Sequence, residues 1–111
     1  MIRKYQKKFL ISILLSNDIT PLIVSQYYAL HVLDSGGDFR SISTYDKQFA
    51  LLQKGGFVVC AYDKENNSVP LGMLHILVSK NRAYDASVAI KPEYQQFYLS
   101  HILKNEAIKE L

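Results

Sequence analysis

The sequence predicts an α+β domain of element order β-α-α-β-β-β-α, with helices packed on a mostly antiparallel sheet. Three observations lead to this expectation. Phe57–Tyr62, Leu71–Ser79 and Arg82–Ala89 are apolar runs of strand length joined by polar turns. An amphipathic helix begins near Pro92 and continues to Leu111. In the first half, Gly36-Gly37 and Gly55-Gly56 each close a helical pattern.

The first element is 9–16 (FLISILLS), too short to declare a period, but its length and the following Asn17-Asp18 turn favour a buried strand. Thr20 is a helix cap with Pro21 at the first helical position, where the missing N–H costs nothing. Leu22, Ile23, Gln26, Tyr27, Leu30 and Leu33 then recur near helical spacing. Ser43 opens a second helix, with Asp46 three residues on and Phe49, Leu51 and Leu52 on its apolar side.

The strand Phe57–Tyr62 runs into a polar hairpin loop, residues 63–68, and Pro70 stands where the next strand begins. Lys80-Asn81 makes a second tight turn. In the last helix Tyr94, Phe97, Tyr98, Ile102, Leu103, Ala107, Ile108 and Leu111 form a broad apolar face. Gln95, Gln96, Lys104, Glu106, Lys109 and Glu110 are expected to look outward.

A length of 111 residues, with 49% hydrophobic and 21% charged content, fits one globular domain over 9–111. The net charge of +3 is too small to imply nucleic acid by itself. Arg3, Lys4, Lys7 and Lys8 make residues 1–8 a basic tail, read as a frayed terminus or as a contact for RNA phosphate. The single Cys60 excludes an internal disulfide and reads as a buried structural thiol. With no signal-peptide pattern and no apolar run of spanning length, the expected location is cytoplasmic.

Candidate chemistry is sparse. His31, His75 and His101 have no carboxylate or cysteine at metal-ligand spacing, so no metal site is expected. His75 lies in the central strand and is a candidate general base, or a satisfied core histidine. Asp85 is a candidate for orienting an amine, or a solubilising carboxylate at a strand end. Tyr84 and Tyr98 either flank a groove or fill core.

The order of elements, with Val69-Pro70-Leu71-Gly72, Ala83-Tyr84-Asp85-Ala86, Pro92-Glu93-Tyr94 and Leu103 with Ala107-Ile108-Lys109, resembles the first part of the GNAT acyltransferase fold. Within that superfamily it is most similar to the Fem-type (FemAB-like) branch. The resemblance covers the last half of the chain in sequence detail and residues 9–54 in topology. It implies an N-acyltransferase-like domain that passes an acyl or aminoacyl group to an amine or peptide acceptor, with aminoacyl-tRNA as the donor of the Fem-type branch. Relatives that use acyl-CoA hold its pyrophosphate on a glycine-rich loop opening the helix after the fourth strand.

The corresponding window here, and so the implied cofactor-binding set, is Gln95, Gln96, Tyr98 and Ser100. Tyr98 stands where the first glycine would be and obstructs close approach of a phosphate, which disfavours acyl-CoA. The resemblance also implies a longer domain. A missing C-terminal segment or a second copy is then expected to complete the sheet, and the alternative function is a non-catalytic module that dimerises or pairs through its sheet edge.

Overall fold

Five antiparallel strands in the order β1-β2-β3-β4-β5 form one sheet, with a helix against each face. The computed structural model describes residues 2–6, 9–34, 55–80, 82–97 and 99–111, leaving out the side chains of 2–6, 79, 84–86 and 96–97. The strands are β1 (Ile2–Gln6), β2 (Phe9–Leu15), β3 (Phe57–Asp63), β4 (Gly72–Ser79) and β5 (Arg82–Ile90). Helix α1 (Pro21–Asp34) lies between β2 and β3, and α2 (Leu99–Glu110) follows β5. The helix expected from Ser43 lies outside the described residues.

Local chemistry explains most boundaries. The Thr20 hydroxyl oxygen accepts the Ile23 N–H at 3.2 Å, capping α1 as its position predicts. The Asp63 carboxylate accepts the Glu65 N–H at 2.9 Å and the Ser68 hydroxyl donates to Asn66 at 2.8 Å, so the β3–β4 loop satisfies its own polar groups. Ser79 pairs with Arg82, and Lys80 between them turns the chain at φ 51°.

Two expectations need correction. Residues 2–6, read as a frayed basic tail, form β1, paired with β2 from Ile2↔Ile13 to Gln6↔Phe9. Charged residues suit an edge strand because they discourage pairing with other chains. The last helix does not start near Pro92. Pro92–Phe97 is a 3-10 turn, in which the Tyr94 N–H bonds the Lys91 carbonyl at 2.8 Å, and the α-helix begins at Leu99.

Alternation along the strands splits the core in two. Phe9, Ile11 and Ile13 of β2, with Phe57, Val59 and Ala61 of β3, pack toward Leu99, Leu103 and Ala107 of α2. Leu14, Val58, Cys60 and Met73 pack toward Val24, Tyr27 and Leu30 of α1. Covering both faces explains why β2 reads as an almost unbroken apolar run. At Gly72 a Cβ would lie 2.7 Å from the Ile90 Cδ1 and 3.2 Å from the Leu99 Cδ2, so glycine lets α2 approach β4 closely.

The helix faces differ in detail from expectation. In α1 the buried residues are Val24, Tyr27 and Leu30, while Leu22 and Leu33 are exposed. In α2 they are Leu99, Leu103, Glu106 and Ala107. Ile108 is 67% exposed and Leu111 65%, whereas Glu106, expected outward, is buried against the sheet with Lys109 at 3.4 Å. The packed stripe follows the 99-103-106-107 spacing, which turns residue 108 away.

Candidate functional site

Two features meet along β5, which with β1 is one of the two edge strands of the sheet among the described residues. The first is a break in its pairing with β4. Ser87 pairs with His75, but Asp85 pairs with Ile76, so Ala86 is one extra residue without a partner in the register. Such a bulge leaves backbone groups outside the ladder and re-aims the strand.

The second is a cleft of about 290 Å³, lined by Asp34, Val88, Ile90, Gln95 and Ser100. It lies where the end of α1 and the start of α2 meet the edge of the sheet. Gln95 ties these parts together, its Nε2 donating to the Asp34 Oδ1 at 2.5 Å and to the Ile90 carbonyl at 3.3 Å. A charge-assisted bond of this kind fixes the carboxylate more firmly than a neutral one would. Among the described lining residues there is one carboxylate and no lysine or arginine.

The site residues expected from sequence are distributed unevenly. Gln95 and Ser100 line the cleft, while the side chain of Gln96 and all of Tyr98 lie outside the described residues. Tyr84 pairs with Leu77 and Asp85 with Ile76 next to the bulge, and their side chains are outside the description. His75 is 2% exposed, in the cross-strand row Leu14–Val58–His75–Ser87, and does not line this cleft. Asp34, Val88 and Ile90 were not singled out from sequence. Asp34 carries no signal beyond a polar residue ending a helix, and the strand residues look like ordinary core.

A second cleft, of about 240 Å³, lies between the start of α1 and β2–β3, with Ser12, Thr20, Tyr62 and Asn67 among its lining residues. Beside it the α1 face holds several buried polar groups. The rings of Tyr27 and His31 are 4.7 Å apart. Burial, aided by Cys60, raises the Tyr27 phenol above its usual range. Burial pushes the Cys60 thiol up to about 12 against a hydrogen bond from Tyr62, which suits a structural thiol and not a nucleophile.

Burial holds His31 below the usual histidine value, opposed by Asp34, and holds His75 below it, opposed by a backbone hydrogen bond at Gly55. The unfolded chain therefore binds more protons than the folded one once the pH drops below about 6.5. Stability is fully present above that pH and falls below it. The urea midpoint should drop between about pH 7 and about pH 5, and His75→Gln should flatten part of that drop. An unchanged pH slope in the variant, measured by circular dichroism, would contradict the assignment.

Comparison with known proteins shows the fold. The ribosomal-protein-S18-alanine N-acetyltransferase from Escherichia coli superposes with a TM-score of 0.69 at 13% identity, over 90% of this chain. The chain spans 58% of the length of that enzyme. The architecture is thus GNAT-like, an antiparallel sheet with helices packed on it. No protein-family model matches the sequence, and no curated protein matches it. Among the described residues no helix is long and apolar enough to cross a membrane, and no group of histidine, cysteine and carboxylate residues is placed to hold a metal ion.

Proposed function

We propose that this chain is an N-acyltransferase-type domain that brings an acyl donor and an amine acceptor together along β5. The observation that supports this reading is the bulge at Ala86 beside a cleft at the start of α2, within a GNAT-like fold. Acyl transfer develops negative charge on the carbonyl oxygen, and a fixed backbone N–H aimed at that oxygen stabilises it without rearrangement. A bulged residue at a sheet edge has such a group to offer. Holding the amine beside the carbonyl supplies most of the remaining acceleration, which accords with few catalytic side chains.

The donor we favour is aminoacyl-tRNA, as in the Fem-type resemblance. Acyl-CoA requires a phosphate cradle, and the residues at that place do not fit one. The 95–100 window holds no glycine, the turn before it uses its Tyr94 N–H on Lys91, and Asp34 puts a carboxylate on the cleft. The test is transfer itself. The full chain, an aliphatic amine and either radiolabelled aminoacyl-tRNA or acetyl-CoA should yield labelled amide from the first donor alone. Amide from acetyl-CoA would overturn the donor choice, and amide from neither would overturn the transferase reading.

A second reading has its own basis in β5 as an edge strand. Its outer backbone groups suit pairing with another chain in a non-catalytic module. Light scattering over a concentration series separates the two, since that reading requires association of copies or capture of a partner.

A further inference from the structure

We propose that the cleft between α1, β5 and α2 binds the ammonium end of an aliphatic amine, with Asp34 as its counter-ion. Its described lining combines one carboxylate, two neutral polar side chains and two aliphatic ones, Val88 and Ile90. The carboxylate is held in place by the Gln95 amide, whose second bond to the Ile90 carbonyl fixes the amide in turn. Among the described residues, Asp34 has no lysine or arginine partner. Burial disfavours the charged form of His31, opposed by Asp34, and Lys91 faces Glu93 at 3.9 Å. The start of α2 favours negative charge, and Asp34 already supplies it on the same cleft.

An ammonium entering here donates a charge-assisted hydrogen bond to Asp34, and its methylenes lie along Val88 and Ile90. A phosphate meets the Asp34 carboxylate. Val88 is about 7 Å along the strand from Ala86 at the usual strand rise. An acceptor whose ammonium end is held in the cleft therefore needs only a few methylenes to place a second, unprotonated amine at the bulge. The inference rests on the transferase reading for its identification of the ligand as the acceptor. Its binding test needs no turnover.

The experiment is a titration of the ¹⁵N-labelled full chain with n-butylammonium chloride, and separately with sodium pyrophosphate, followed by amide NMR. Butylammonium should shift the backbone amides of Val88, Ile90 and Ser100 and the side-chain amide of Gln95 saturably. Asp34→Asn should weaken that binding by at least about tenfold. Asp34→Lys should abolish it and bring in pyrophosphate at the same amides. Each variant's spectrum without ligand reports whether its fold is kept. Absence of saturable shifts, shifts confined to other residues, equal affinity in Asp34→Asn, or pyrophosphate binding at these amides with Asp34 intact would each overturn the proposal. Binding without transfer would leave this inference standing and remove the transferase reading. Transfer without binding would do the reverse.

Discussion

Gly56→Ala should lower stability by at least about 3 kcal/mol, enough to consume a large part of what holds a domain of this size together. Two effects combine at this position. Its φ of +88° lies where an L side chain is strained. A Cβ there would also overlap the Ile76 carbonyl oxygen, which belongs to β4. A flexible side chain could move aside, but a carbonyl in the middle of a strand cannot move without disturbing its ladder. Gly55 is the control. It has φ +123°, and among the described residues a Cβ would meet the Val78 carbonyl oxygen at 3.8 Å, an ordinary contact. Gly55→Ala should therefore show backbone strain alone, about 1–3 kcal/mol. Urea unfolding of both variants checks the order, and equal losses would contradict the packing of Gly56 against β4.

Leu103→Ala should cost about 2–5 kcal/mol, and Ile108→Ala should stay within about 0.5 kcal/mol. Leu103 is fully buried at the centre of the α2 interface, where its Cδ1 also approaches Gly72. Removing its side chain leaves a void between helix and sheet that rigid strands cannot fill. Ile108 is largely in water already. The pair distinguishes the observed helix face from the one expected from apolar residues alone, in which both are core. Similar losses for the two would restore that first face and contradict the observed rotation of α2.

Strand positions were legible because their chemistry is local. Leu71–Ser79 and Gly72–Ser79 differ by one residue, as do Arg82–Ala89 and Arg82–Ile90, since turn residues mark their ends. The hairpin strand β1 escaped notice because Arg3 and Lys4 break any apolar alternation at a sheet edge. The rotation of α2 was hidden for another reason. Apolar residues at 108 and 111 widen the helical stripe, and only contact with β3 and β4 selects the part that is buried.

The candidate site was half legible. Gln95 and Ser100 were named because the resemblance points to the start of the last helix. Asp34 is 61 residues from Gln95 along the chain, so no spacing rule joins them. The bulge at Ala86 was equally hidden, since it is a property of register between two strands and not of composition. His75 remained open between base and core histidine, and its burial away from the cleft is what the sequence alone left undetermined.

Of all measurements, the transfer rate of Ala86→Pro relative to the natural chain tests most directly whether β5 performs the chemistry. Proline removes the backbone N–H and is tolerated at bulges and edge strands, so the fold should survive, as an amide NMR spectrum would verify. Loss of one oxyanion donor should slow transfer from aminoacyl-tRNA to an amine by about 100-fold or more. A folded variant that transfers at the natural rate would contradict the account.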